Sequence, residues 1–496
     1  MIAPRRLPSR SRFVYAALGI AAFVVFMGTI GRASFQPKTF EYDLVPFYCG
    51  GVVVAERHDP YLVEPLRTCE HAIGPVFRKG TQLVVPDPLP AYDQALFAVL
   101  SRLPYLALQV LWFVLELVVC WLTALLLVRL SGLSWLVVGS TLVVSDLYCS
   151  TILGQLAPFS LLGLVLAGWG LEKRRATAVT GGLMLALIEP HLGLPALLAV
   201  LVWGGRMRVA ALVAAAVLGA VSLLALPLPT LVEYFARAIP AHALSEVNNE
   251  DQLSSAYLLH QLGVSESLAV LLAKFDYVVM LGLGVALAGR AARTFGPAMI
   301  PFGATAFVLL GGPFLHVTQI PAALPAALLV AGRARSRQAG GVAAVLAIPW
   351  VNFSTVLTIL PVAAGAFYVA ARRLWKIGAV RAAIVVSLAI IAEAAAAFYV
   401  AFDPIQHIPN YGIVLPTDLA ESTWKTIIDQ QQHRHVLLAT IAKIPTELAL
   451  LALAVAITRA PAAMAIWIAA TPIPDVAPWI IAVSPAFRAP CSKRFA

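Results

Sequence analysis

The chain has 496 residues, 60% of them hydrophobic and only 12% charged, and its mean hydropathy is +0.86. That composition excludes an ordinary soluble domain. The formal charge of +10 does not indicate a nucleic-acid binder, because the basic residues fall in small clusters between apolar runs. Arg5, Arg6, Arg10 and Arg12, then Lys173 to Arg175, Arg206 and Arg208, Arg290 and Arg293, Arg333, Arg335 and Arg337, and Arg372, Arg373 and Lys376 mark them. Clusters of this kind are the cytoplasmic loops of a membrane protein under the positive-inside rule.

Each crossing needs roughly 20 apolar residues, and such runs extend from one end of the chain to the other. Only helices or closed barrels satisfy their backbone in lipid, and the short alternating segments of a barrel are missing. The class is therefore an all-α polytopic membrane protein.

In chain order, an Arg-rich start precedes Phe13 to Ile30, read as an uncleaved first helix with its N-terminus inside. The stretch from Arg32 to about Leu103 is then external, rich in Pro, Gly and charge, with short interfacial helices expected. Pro104 to Val128 returns inward and Leu136 to Tyr148 goes out, before the polar interruption SDLYCSTILGQLAP and the run Phe159 to Leu171. Two short apolar runs around Glu189-Pro190-His191 read as a hairpin whose tip lies at or below the outer surface. Val209 to Leu226 leads to a second external segment, 227–263, with an amphipathic helix around Tyr234.

Spans are expected at 265–289, 297–312, 319–332, 341–353, 355–371 and 379–401, then a third external loop, 402–434, and a span near 436–457. The whole of 1–460 reads as one transmembrane domain of about 12–14 helices, with 32–103 as its catalytic loop. The tail 461–496 holds one further apolar run, 462–482, broken by Pro472, Pro474 and Pro478. Cys49 and Cys69 share the first external loop, so a disulfide between them is open. No CxxC or HExxH spacing appears, and nothing in the sequence demands a metal or other cofactor.

The chemistry is expected at the external ends of the helices. Asp43 lies beside a membrane end, where a carboxylate is costly unless solvated or used, and His58, Asp59 and Tyr61 follow closely. The other polar interruptions, Gly154-Gln155, Glu189 to His191, Asn248 to Gln252 and Pro313 to Gln319, all fall on the same predicted side. If those loops converge, they line one polar cavity. Glu116 and Glu393 lie inside apolar runs, where an ionisable residue is a functional suspect unless it pairs within the bundle, and Trp112 and Trp203 read as packing or interface anchors.

The order of these elements resembles glycosyltransferase family 87, whose best-known members are polyprenol-phosphate-mannose-dependent α-mannosyltransferases with the GT-C membrane fold. The elements are an acid and Gly in the first loop, the AspProTyr of 59–61, PLPAYDQALFAVLSRLP, Gly154-Gln155, Glu189-Pro190, an Asn-Gln segment, and Pro313 to His316. The resemblance covers roughly residues 13 to 335. It implies a GT-C-like bundle and a hexosyltransferase that takes a polyprenyl-phosphate sugar to an extracytoplasmic lipid or glycan acceptor.

By the same resemblance Asp43 is the general base and His316 the active-site histidine, with His191 and Arg237 as distant alternatives beside the phosphate. Substrate contacts fall on His58, Asp59, Tyr61, Gln155, His191, Asn249 and Gln252. Two positions depart from the pattern: Glu189 stands where a basic residue is common, and the paired histidine element is reduced to His316. The expected location is the bacterial inner (plasma) membrane with the site facing the periplasm or exterior, membrane lipids as surroundings and no nucleic acid as partner. The rival class is a transporter or flippase of a lipid-linked sugar, which broken helices near Pro190 and Gly154 also fit. A catalytically dead scaffold is the third reading.

Overall fold

The computed structural model describes residues 41–73, 84–249, 251–334, 337–347, 415, 417–431 and 436–458. Among these the regular structure is helical, and the only pairing of extended backbone is two isolated antiparallel bridges, Leu62 with Leu419 and Gln252 with His316. The all-α reading is borne out. Four described helices are long and apolar enough to cross a membrane: Tyr105–Ser131, Gly205–Ala225, Glu266–Phe295 and Val317–Ala334. Leu44–Ala55, Ala176–Ala186, Pro190–Trp203 and Met299–Val308 are apolar but shorter. The expected crossings Phe13 to Ile30, 355–371, 379–401 and 462–482 lie outside the described residues.

Local chemistry sets where the helices stop. Tyr105–Ser131 starts after Pro104, carries Arg129 in its last turn and ends at Gly132 with φ 71°, the left-handed cap that glycine adopts without strain. The run Leu136 to Tyr148, read from sequence as one crossing, is two helices, Trp135–Val144 and Leu147–Leu153. Ser145 causes the break: its Oγ donates to Leu142 O at 2.7 Å and its own backbone turns extended, the competition with helix expected of serine. The described residues of the expected first external loop are likewise mostly helical, containing Leu44–Ala55, Val63–Ile73 and Ala91–Leu100.

Ala157–Lys173 defines the two ends of the bundle. Gln155 precedes its first turn and Arg174 follows its last, about 26 Å apart at helical rise. At the basic end Arg333 donates to Phe295 O at 2.6 Å and pairs with Glu172, tying three helix termini together. At the other end gather the turn 41–43, the loops around 154 and 189, and the segments 246–254 and 312–319. Between them lies a core that includes Leu164, Leu183, Ala199, Phe302 and Leu328, each almost wholly buried. Val317–Ala334 is mostly inside, whereas Gly205–Ala225 and Glu266–Phe295 show most of their surface to the outside. A disulfide joins Cys49 to Cys69, with Cα atoms 5.5 Å apart, and staples Leu44–Ala55 to Val63–Ile73.

Candidate active site

Asp43 is the N-cap residue of Leu44–Ala55. The turn that carries it is docked on the end of Leu147–Leu153: Glu41 N donates to Ile152 O at 2.7 Å and Asp43 N to Leu153 O at 2.8 Å. That close approach depends on Gly154, which has φ +75° and whose added Cβ would meet Glu41 Cβ and Leu44 Cβ at 3.1 Å. Trp112 supports the same turn from below, donating from Nε1 to Gly154 O at 3.2 Å. The next residue, Gln155, then reaches Asp43: its Nε2 donates to Oδ2 at 2.8 Å. Two sequence elements 112 residues apart are thereby joined.

Burial pushes the Asp43 carboxyl up from its ordinary 3.8 to about 6, and Glu246 adds to the rise. The Gln155 hydrogen bond and the nearness of His316 pull the other way. A value near 6 leaves the group mainly ionised at neutral pH yet a better proton acceptor than an exposed aspartate, the property required of a general base.

His316 opens the helical segment Val317–Ala323, where its backbone N donates to Gln319 Oε1 at 2.9 Å. A bridge fixes it to the 251–253 turn: Val317 N donates to Asp251 O at 3.0 Å and Leu253 N to Leu315 O at 2.7 Å. His316 Nε2 lies 3.1 Å from Gln252 Nε2 and 3.6 Å from Glu246 Oε2. His316 is not isolated. Its ring sits 4.8 Å from Phe314, and the same phenyl ring has His242 at 4.7 Å and His191 at 5.7 Å. Burial first, and then the neighbouring His316, hold His242 low, at about 4. Three imidazoles thus stand around one phenyl ring.

Sequence reasoning missed two members of this group, His242 and Glu246. They stand four residues apart across the end of Ile239–Ser245, the spacing that places side chains on one helix face, and that signal was there to be used. Burial alone would raise Glu246, but His316, His242 and hydrogen bonds from Asn249 and Trp424 outweigh it and keep the carboxyl below its ordinary value. Asn249 and Gln252 are both engaged with Glu246 Oε2, at 2.7 and 3.1 Å. At the other departure from the family pattern, Glu189 caps Pro190–Trp203 and its Oε2 lies 3.7 Å from His191 Nε2. An imidazole just after Pro190 thus stands close to where a basic side chain before it was expected.

Asp43, Gln155, His191, Asn249, Gln252 and His316 come together. His58, Asp59 and Tyr61 lie apart, beside a second group of polar residues. His58 is exposed, Asp59 Oδ1 accepts from Tyr61 N at 2.9 Å, and Tyr61 is buried with its hydroxyl on Leu89 O at 3.0 Å and its ring stacked 5.2 Å from Tyr234. Arg237 is paired with Glu233 and 60% exposed on its side chain, so it belongs to that second group as well. Trp112 is a packing residue, 3% exposed. Among the described residues no group of three or more His, Cys, Asp or Glu is arranged to hold a metal ion.

Residues 94–317 match the model of glycosyltransferase family 87, which bears out the family resemblance over that stretch and supports a membrane glycosyltransferase. Gln155, His191, His242, Glu246, Gln252 and His316 fall inside the match, and Asp43 lies before it. No curated protein and no solved structure matches the chain.

Proposed function

From the match to glycosyltransferase family 87 over residues 94–317 we infer a hexosyltransferase that uses a polyprenyl-phosphate sugar and a lipid or glycan acceptor, with mannose the sugar the resemblance favours. The observation that carries this reading is the meeting of Asp43 with Gln155 and His316 at one end of the bundle. The donor lies with its tail in lipid and its sugar at that end, taken as the periplasmic or outer side of a bacterial inner membrane; the distribution of basic residues supports the outward orientation.

In the reaction Gln155 holds Asp43 Oδ2, and Oδ1 takes the proton of the acceptor hydroxyl. The acceptor oxygen bonds to the anomeric carbon while the carbon–oxygen bond to phosphate breaks, and its electron pair leaves on the polyprenyl phosphate. A single displacement of this kind inverts the anomeric centre, as in single-displacement glycosidases. General-base help is worth roughly 10²–10⁴-fold. The departing phosphate gains charge, and pre-placed donors are worth most there; His316 is assigned to it, with His191 beside it.

The test is sugar transfer from polyprenyl-phosphate-mannose to a membrane extract by the purified protein in lipid, wild type beside Asp43→Asn. Transfer by wild type with a loss of at least about 100-fold in the variant supports the reading. Retained transfer in the variant removes Asp43 from the mechanism. No transfer by either, together with flux of a lipid-linked sugar across vesicles, replaces the enzyme by the transporter.

A further inference from the structure

Glu246 stands where several groups meet. Its Oε2 accepts from Asn249 Nδ2 at 2.7 Å and from Gln252 Nε2 at 3.1 Å, and lies 3.6 Å from His316 Nε2. Its Oε1 accepts from Trp424 Nε1. Gln252 is itself fixed, because its Oε1 accepts from Leu315 N at 2.8 Å, so the amide nitrogen is the atom turned toward His316. A carboxylate engaged at both oxygens cannot rotate without breaking a charge-assisted hydrogen bond, the stronger kind.

Trp424 comes from a different part of the chain. It lies on Ala420–Gln431, beyond the stretch that matches the family. That helix has its own anchors. Thr423 Oγ1 donates to Val84 O at 2.7 Å, Asn248 Nδ2 to Asp429 Oδ1 at 2.8 Å, and Lys425 Nζ to Glu266 Oε2 at 2.9 Å. The helix that carries the indole is therefore anchored by contacts that do not involve Glu246.

We propose that Glu246 is a positioning residue for His316, and that Trp424 completes it by holding the far oxygen of its carboxylate. The proposal rests on the reading of His316 as the group that faces the departing phosphate. Glu246 Oε2 holds the Gln252 amide whose Nε2 donates to His316 Nε2, so the ring is kept oriented with its N–H on Nδ1, the donor His316 can offer as charge builds on the leaving oxygen. The charged and titratable groups around this pair are His242 from Ile239–Ser245, His191 from Pro190–Trp203 and Asp43 from the 41–43 turn. Lys425 and Asp429, on the helix of Trp424, are paired with Glu266 and with each other.

The experiment uses the full-length protein in lipid nanodiscs with ¹⁵N-labelled histidine. Imidazole spectra are compared for wild type, Glu246→Gln and Trp424→Phe, with His316→Gln identifying the His316 signal. The expected result is a displaced and broadened His316 signal in Glu246→Gln, and a smaller displacement in Trp424→Phe, which keeps an aromatic ring and removes the N–H donor with part of the indole. The signal of His260, whose Nδ1 lies against Val264 O at 2.9 Å, stays in place and reports an intact fold. A His316 signal unchanged in both variants overturns the proposal, whatever becomes of the transferase reading. With polyprenyl-phosphate-mannose as donor, Glu246→Gln lowers kcat about tenfold to a hundredfold at nearly constant KM; a rise in KM alone also overturns it. Should wild type transfer nothing, the sugar assignment fails and the spectra alone decide.

Discussion

Two groups of buried polar residues lie under the same end of the bundle, and they are built from different chemistry. Around Glu246, two imidazoles, two amides and an indole surround one carboxylate, His191 stands beside Glu189, and Asp43 has Gln155. Around Asp87 the acids dominate. Glu70, Asp87, Asp93 and Glu421 are each no more than 2% exposed, while the donors that reach them include Gln94 Nε2 on Asp87 at 2.9 Å and Val85 N on Glu70 at 3.2 Å. Burial pushes Asp87 up to about 7 and Glu421 to about 8. A buried carboxylate keeps its charge only when donors replace the lost water. The first group can therefore hold an ionised base beside a forming anion, whereas the second is suited to neutral acids that brace the fold.

The largest effect expected from this contrast is on catalysis. Asp43→Asn lowers sugar transfer by at least about 100-fold at unchanged thermal stability, while Asp87→Asn, measured in the same assay, stays within about threefold of wild type. Equal losses in the two variants would erase the distinction between the groups.

Next comes a steric test. A Cβ added at Gly50 would lie 1.7 Å from Asp87 Oδ2 and 2.8 Å from Gln94 Oε1. Gly50→Ala is expected to cost about 1–3 kcal/mol, read as a lowered Tm. An unchanged Tm would mean that Asp87 is not packed as described.

The pH dependence separates the groups by sign. Transfer falls as pH drops through about 6, because Asp43 takes up a proton and ceases to be a base. Stability moves the other way. Asp87, with an ordinary value of 3.8 and a folded value of about 7, binds its proton more tightly when folded. Its contribution is complete below about pH 4 and is lost as pH rises through about 7. Thermal unfolding followed from pH 5 to 8 should show Tm decreasing, with a shallower slope in Asp87→Asn; parallel slopes would remove Asp87 as the cause.

The smallest effect is expected at Tyr61. Tyr61→Phe loses the hydrogen bond to Leu89 O and keeps the ring on Tyr234, a cost of about 1 kcal/mol with transfer unaffected. A loss of transfer beyond about tenfold would bring the AspProTyr element back into the site.

How far the site could be read from the chain differs from residue to residue. Asp43, Gln155 and His316 were each legible as polar breaks at helix ends, because a charged or amide side chain in a greasy chain stands out. Tyr61 and Asp59 were equally visible, yet they face another group, since order along the chain does not say which way a turn points. Glu246 and His242 were hidden inside an ordinary-looking amphipathic stretch. Trp424 was beyond reach, because its value lies in one N–H delivered across 178 residues to Glu246.

The sequence by itself determined the class of molecule, the rough places of its membrane helices and the end at which polar chemistry gathers. Those follow from apolar run length and from the cost of burying charge, both local quantities. It did not determine that Leu136 to Tyr148 breaks at Ser145, that Cys49 and Cys69 staple Leu44–Ala55 to Val63–Ile73, or which acids keep their charge. Only the tertiary structure decided these, because the state of a buried carboxylate depends on donors brought from distant segments. Asp43 has Gln155 and Glu246 has Trp424, while Glu421 is buried among Asp59 and Asp87.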